Sequence, residues 1–238
     1  MFDFHTHILP ELDDGSSSVE ESLSMLRELG KQGVDGVAAT PHFYAERMSP
    51  GSFFERRQRA WEKLKPHLTE DMPEVRLGAE VRYFEGINRY AGLEAFCIEG
   101  TELLLIEMPN GVWTSRMISA LLELNRREGL TVILAHIERY LRQQKEETWS
   151  LLLESGIRMQ ANASFFTGSF TKGKAIKLFR SGGIHLLGTD CHNMSSRKPD
   201  MAEAMDIIRR KNCEEYLQRL KARERRLLHT AAGNAKHR

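Results

Sequence analysis

The chain has 238 residues, 34 Lys and Arg against 33 Asp and Glu, and a formal net charge of +1. Proteins held by nucleic-acid phosphates carry a clear basic excess, because those contacts supply the affinity; no nucleic-acid partner is expected here. With 41% hydrophobic and 28% charged residues the chain is neither disordered nor fibrous, and Cys97, Cys191 and Cys213 form no disulfide framework or zinc-ribbon pattern, which points to a reducing, cytoplasmic compartment.

Residues 1–7 include no basic segment and no apolar stretch of signal-peptide length. The longest apolar runs, such as residues 103–106, fall far short of the ~20 residues that cross a bilayer, so no membrane insertion is expected. Short apolar runs alternate with amphipathic helical patterns, the rhythm of βα units around a parallel sheet. The predicted strands are 2–5, 34–40, 75–81, 103–108, 131–136, 157–163 and 184–189. The first helical pattern carries Val19, Leu23 and Leu26 behind a capping-box pair, Ser18 and Glu21, and Gly30 and Gly33 mark its end. The fourth carries Ile118, Leu121 and Leu122. No linker and no further repeat interrupts this rhythm, so residues 1–238 read as a single α/β domain. Seven units closing into a barrel would gather the strand C-termini around one mouth; an open doubly wound sheet is the alternative and uses the same strand ends.

Those ends carry the chemistry. They are His5-Thr6-His7 with Asp13-Asp14 beyond it, Thr40-Pro41-His42, Gly78-Ala79-Glu80, Ile106-Glu107-Met108, Ala135-His136 and Asp190-Cys191-His192. Two residues separated by one other on a strand share a face, so His5 with His7, and Asp190 with His192, can address one ion. Imidazoles and carboxylates without thiolates suit zinc, manganese or iron(II), and not a structural zinc or iron–sulfur centre. Nine candidates (His5, His7, Asp14, His42, Glu80, Glu107, His136, Asp190 and His192) are too many for one ion. They predict two or three ions bridged by a carboxylate or hydroxide, since without metal such a cluster would incur heavy desolvation and repulsion. His67, His185, His229 and His237 show no partner pattern and read as structural.

The blocks His5-Thr6-His7, Asp13-Asp14-Gly15, Ala39-Thr40-Pro41-His42, Gly78-Ala79-Glu80, Leu105-Ile106-Glu107, Ala135-His136-Ile137-Glu138-Arg139-Tyr140 and Thr189-Asp190-Cys191-His192-Asn193 resemble the polymerase and histidinol phosphatase (PHP) superfamily. More narrowly, they resemble its bacterial protein-tyrosine phosphatases of the capsule and exopolysaccharide type. The resemblance implies a distorted (β/α)7 barrel with a trinuclear centre, often manganese, with iron or zinc as alternatives. It places His5, His7, Glu80 and Asp190 on one ion, Asp14, His42 and His192 on a second, and Glu80, Glu107 and His136 on a third. Arg139 and Arg197 match arginines that face the phosphate. A bridging water of lowered pKa would then attack phosphorus while the ions neutralise the phosphoryl oxygens. The implied substrate is a phosphotyrosine protein, such as the tail of a bacterial tyrosine autokinase. Another PHP phosphoesterase, such as a histidinol-phosphate phosphatase, and a non-catalytic PHP domain are the alternatives.

Three further features have two readings each. Cys191 and Arg197 satisfy the Cys-x5-Arg spacing of thiol phosphatases, but the segment lacks the glycine of a phosphate-cradling loop, so Cys191 reads as a packed neighbour of two ligands. The loop 43–51 offers Tyr44 and Arg47 as a lid for a phosphotyrosine ring and its phosphate, or as an ordinary loop; Phe165-Phe166-Thr167-Gly168 is a weaker case of the same kind. The basic stretch 209–226 reads as a solvated helix face, with a partner or a second subunit as the alternative.

Overall fold

The computed structural model describes residues 1–229; His237 lies outside them. Among the described residues nine parallel-paired strands form two sheets, ordered β1-β2-β4 and β3-β5-β6-β7-β8-β9: β1 (Phe2–Thr6), β2 (Gly36–Ala39), β3 (His42–Phe43), β4 (Glu74–Leu77), β5 (Glu80–Arg82), β6 (Leu103–Glu107), β7 (Thr131–Leu134), β8 (Arg158–Asn162) and β9 (Leu186–Gly188). They correspond to the seven expected strands, with the third, 75–81, broken in the middle and β3 added beyond the expected end of the second, 34–40. Pro41 has no N–H to donate and separates β2 from β3, while Gly78 and Ala79 separate β4 from β5. The register carries across both breaks, because Gly78 N donates to Ala39 O at 2.8 Å and Glu80 N to Pro41 O at 3.0 Å. At the other seam Asp190 N donates to His5 O at 2.8 Å and His7 N to Cys191 O at 2.9 Å, so the chain beyond β9 returns to β1. The α/β fold is a distorted seven-stave barrel.

Eight α-helices occur among the described residues: α1 (Val19–Lys31), α2 (Pro50–Leu64), α3 (Ser115–Asn125), α4 (Glu146–Glu154), α5 (Ala163–Thr167), α6 (Lys172–Arg180), α7 (Met201–Arg210) and α8 (Glu214–His229). None among the described residues is long and apolar enough to cross a membrane. The hydroxyl of Ser18 caps α1 by accepting from Glu21 N at 3.2 Å, but the Glu21 carboxylate accepts from Ser17 N at 2.8 Å, one residue earlier than a capping box requires. Strand alternation divides the apolar residues into two layers. Phe4, Leu103, Leu105, Ile133 and Leu186 fill the barrel interior, while Leu104, Ile106, Val132 and Leu134 meet the helices.

The basic stretch 209–226 is more than a solvated face. Leu217 and Leu220 are buried, and Leu227 and Leu228 pack against the interior cluster at the N-terminal end of the barrel. Glu224, 3% exposed, accepts from Phe2 N at 3.4 Å with one oxygen and has no partner for the other. Burial pushes its carboxyl up to about 7 from an ordinary 4.5. The unfolded chain therefore ionises first, so this group's contribution is full below pH 4.5 and is lost as pH rises toward 7. Glu224→Gln is expected to stabilise the protein at pH 8 by about 1–3 kcal/mol and leave it little changed at pH 4. Thermal unfolding at the two pH values checks this, and equal shifts at both would refute it.

Candidate metal centre

All nine candidate ligands meet at the C-terminal mouth: at and beyond the end of β1, at the first residues of β3 and β5, at the end of β6 and in the turns after β7 and β9. Two of them sit on strained backbone: His136 at φ 32° and Asp190 at φ 54° occupy the left-handed region that non-glycine residues avoid. Glycine is required beside them. A Cβ on Gly15 would lie 2.3 Å from His7 O, and one on Gly188 would lie 2.6 Å from His5 Cβ.

The imidazole tautomers follow from their outer partners. His5 Nδ1 stands 3.4 Å from Gln160 Oε1, His7 Nδ1 2.8 Å from Asp13 Oδ2, and His192 Nδ1 2.9 Å from the carbonyl of Asp190. Each partner is an acceptor, so each ring donates outward from Nδ1 and turns Nε2 inward. The Tyr140 hydroxyl donates to Met108 O at 2.8 Å, so at 3.3 Å it accepts from His136 Nδ1, which fixes the same tautomer.

The inward atoms then crowd one another. His5 Nε2 and His7 Nε2 are 3.1 Å apart, and His136 Nε2 is 2.8 Å from Glu80 Oε1. His42 Nδ1 and Glu80 Oε2 approach to 2.8 Å, yet both, like His192 Nε2 and Glu107 Oε2, are buried without a hydrogen-bond partner. Buried polar atoms are nearly always satisfied. The donor set of imidazole and carboxylate gathered here fits divalent ions.

Three groups of ligand atoms lie within 4.8 Å of one another: His5, His7 and Asp190; His7, Asp14, His42 and His192; and His42, Glu80 and Glu107. The second contains the set implied by the resemblance with His7 added, and the first holds three of the four residues implied for it, with the fourth, Glu80, outside the group although its Oε2 lies 3.3 Å from His5 Nε2. In the third, His42 stands where His136 is expected, while His136 approaches Glu107 only to 3.7 Å. The charges are strongly coupled. Burial alone would raise Glu80, but the charge of His5 and the hydrogen bond from His136 hold it well below the usual range. Burial likewise opposes charging His7, yet Asp13 pushes it up to about 10. The carboxylates thus draw protons onto His5 and His7, the positive charge that metal ions would bring.

Arg139 and Arg197 flank Asp190, with Arg139 Nη2 donating to Oδ2 at 2.7 Å and Arg197 Nη2 pairing with Oδ1 at 2.8 Å. Both line a cleft of about 580 Å³. Tyr44 stacks on the His42 ring with centroids 5.2 Å apart, and the Arg47 guanidinium lies 4.9 Å from the Tyr44 ring. Phe43, Phe165 and Phe166 belong to the core, which corrects the reading of those aromatics as parts of a lid. The thiol route is closed as well. Cys191 is fully buried and burial pushes its thiol well above the ordinary range. The N–H groups of Ser195, Ser196 and Arg197 all donate to Asn193 Oδ1, at 2.9, 2.9 and 3.1 Å, so they are not available to cradle a phosphate.

Sequence reasoning missed the supports of this cluster. Asp13 accepts from His42 N at 3.0 Å as well as from His7. Gln160 accepts from His136 N at 2.7 Å and donates to Asn162, whose amide donates to Asp190 Oδ2 at 3.0 Å. The strand that delivers no His or carboxylate, β8, therefore supplies the hydrogen-bonded layer behind the others, as ligand-bearing sites require. The alternation Gln160-Ala161-Asn162 at its end was the available signal.

Comparison with known proteins gives the family and the fold. The profile of the family described as capsular polysaccharide synthesis, CpsB/CapC, matches residues 1–228. Tyrosine-protein phosphatase CpsB of Streptococcus pneumoniae is 29% identical over 235 residues, covering 89% of this chain and 90% of its own length. Tyrosine-protein phosphatase YwqE of Bacillus subtilis (strain 168) is 28% identical over 218 residues, with 87% and 84% covered. A chain from the crystal structures of YwqE and CpsB, described as metal-dependent tyrosine phosphatases, shares the fold with a TM-score of 0.82 at 24% identity, covering 96% of this chain and 94% of that one.

Proposed function

The chain belongs to the capsular polysaccharide synthesis CpsB/CapC family, and from that premise we propose that it is a metal-dependent protein-tyrosine phosphatase. Its centre takes two or three divalent ions, manganese first, on His5, His7, Asp14, His42, Glu80, Glu107, His136, Asp190 and His192. Its substrate is a phosphotyrosine protein of capsule or exopolysaccharide production, such as the C-terminal tail of a tyrosine kinase. The observation that carries the reading is the convergence of four histidine rings on the buried Glu80 carboxylate, which His136 Nε2 meets at 2.8 Å, His42 Nδ1 at 2.8 Å, His5 Nε2 at 3.3 Å and His7 Nε2 at 3.5 Å.

When bound, the ions supply an activated water and neutralise charge on the phosphoryl oxygens. The chain's own residues do the rest. Asp13, Gln160, Tyr140 and the Asp190 carbonyl lock the four rings in the coordinating tautomer before substrate arrives. Arg139 and Arg197 present always-charged, forked donors at the cleft, suited to gripping two phosphoryl oxygens in the orientation that in-line displacement demands. The leaving phenolate departs readily, so no thiol adduct is needed.

Chelation is expected to reduce phosphotyrosine hydrolysis at least a hundredfold and manganese to restore it, while Cys191→Ser keeps the rate within about twofold. A chelator-resistant enzyme inactivated by Cys191→Ser would overturn the metal reading.

A further inference from the structure

The two arginines that line the cleft are placed by different means. Arg139 ends the short helical turn 137–139 that follows His136, and its N–H donates to His136 O at 3.0 Å, so the strand end that delivers a ligand also sets its backbone. Arg197 has no such support. It lies in the connection between β9 and α7, where Met194, Ser195, Ser196 and Lys198 are all exposed. Segments with so few buried apolar contacts open at little cost. Even so, Arg197 Nη2 stands 2.8 Å from Asp190 Oδ1 and Nη1 3.6 Å from Asp14 Oδ2, a placement that needs a fixed main chain behind it.

One side chain supplies it. Asn193 Oδ1 accepts from the N–H groups of Ser195, Ser196 and Arg197 at 2.9, 2.9 and 3.1 Å and from the Ser195 hydroxyl at 3.0 Å. The Arg197 carbonyl in turn accepts from His192 N at 2.9 Å. Residues 192–197 thus form a closed loop, with its N–H groups gathered on one amide oxygen and its ends joined by a backbone hydrogen bond. Helix α1 steadies it from outside. Met194 N donates to Glu21 Oε1 at 3.3 Å, which gives a use to the carboxylate that fails to complete a capping box. Beyond the loop, Gln32 Nε2 donates to Pro199 O at 3.0 Å and Gln32 Oε1 accepts from Ala202 N at 3.1 Å, so the chain is fixed where it enters α7. Asn193 is the side chain on which the loop itself depends, because no apolar group inside it is buried.

We propose that Asn193 is a positioning residue for Arg197, its side-chain oxygen folding the loop so that the guanidinium stands beside Asp190 before substrate arrives. The proposal rests on the reading of Arg197 as a donor to the phosphoryl group and adds the residue that pre-organises it. In Asn193→Ala the released donors lie on an exposed loop and pass to water, so the fold loses little, while a charged donor displaced by about 1 Å costs up to roughly 100-fold in rate. The test is a double-variant cycle in the manganese-loaded full chain, read as kcat/KM for a phosphotyrosine peptide and as the inhibition constant of inorganic phosphate. Asn193→Ala should lower kcat/KM roughly 10–100-fold and weaken phosphate inhibition, at wild-type metal content and with Tm within about 3 °C of wild type. In the Arg197→Ala background the same substitution should cost no more than about twofold, because the group it places is gone. Asn193→Asp keeps an acceptor oxygen at the same point and should stay within about fivefold of wild type. Equal losses from Asn193→Ala in the two backgrounds, a loss that follows metal content, or an aspartate variant as slow as the alanine one would overturn the proposal. So would a normal rate in Asn193→Ala beside a slow Arg197→Ala. A normal rate in Arg197→Ala itself would instead overturn the phosphoryl role of Arg197, and the proposal with it.

Discussion

Glu80→Ala should lower phosphotyrosine hydrolysis by roughly 10³-fold or more, the scale expected when a charge-stabilising element of a preorganised site is removed. Glu80 is 1% exposed and touches four of the five mouth histidines, with Oε1 at 2.8 Å from His136 and Oε2 at 2.8, 3.3 and 3.5 Å from His42, His5 and His7. No other carboxylate at the mouth reaches as many rings, so its loss should also reduce bound metal, measurable by elemental analysis. The metal-free protein should suffer as well. Because the folded Glu80 carboxyl is held well below its ordinary 4.5, its contribution is present above pH 4.5 and lost as pH falls through the folded value. At pH 7 Glu80→Ala should therefore cost about 3 kcal/mol, a fall of roughly 6–12 °C in Tm for a chain of this size. Glu80→Gln keeps the shape and removes the charge, which separates metal loss from a packing defect. A variant with normal metal content and normal rate would refute the bridging role.

The seven staves and the gathering of nine polar residues at one mouth are legible in the sequence because both depend on local patterns. Each strand is a short apolar run that ends in a residue able to bind a metal, and His5 and His7 share a face by alternation alone. The breaks at Pro41 and at Gly78-Ala79 are less visible, since they depend on how two neighbouring strands keep register across a missing donor. Asp13 was passed over because nothing local says which of two adjacent aspartates turns toward His7 and which toward His42 and His192. Gln160 and Asn162 do not stand out as ligands, and their role appears only when the barrel closes them behind His5, His136 and Asp190. Phe43 is a different kind of miss. His42 faces the mouth, so its strand neighbour must face the helical layer, and Phe43 indeed packs on Phe53 and Phe96 with centroids 5.3 and 4.4 Å away. The alternation that located the ligands would have assigned it to the core. The stretch 209–226 was dominated by its charge, although Leu217, Leu220, Glu224 and Leu227 recur at helical spacing on the face that closes the barrel.

Arg139→Ala and Arg197→Ala are each expected to lower kcat/KM for a phosphotyrosine peptide about 10²–10³-fold, the range for removal of one charged donor from a developing oxyanion. The two guanidinium groups hold opposite oxygens of Asp190, at 2.7 and 2.8 Å, and each is 39% exposed toward the cleft. A phosphate entering there meets both at once, and each can offer two parallel N–H donors to its oxygens. Lysine keeps the charge and loses the fork, so Arg139→Lys should recover no more than about a tenth of the lost rate. The two losses should not simply add. Both arginines offset the same buried carboxylate, so removing either leaves the other to neutralise Asp190, and the double variant measures that coupling. Inorganic phosphate provides an independent readout: its inhibition constant should rise in step with the loss in kcat/KM if the arginines hold the phosphoryl group. If metal content fell in the alanine variants while phosphate inhibition of the remaining activity stayed at the wild-type value, the arginines would be supports for Asp190 and not donors to substrate.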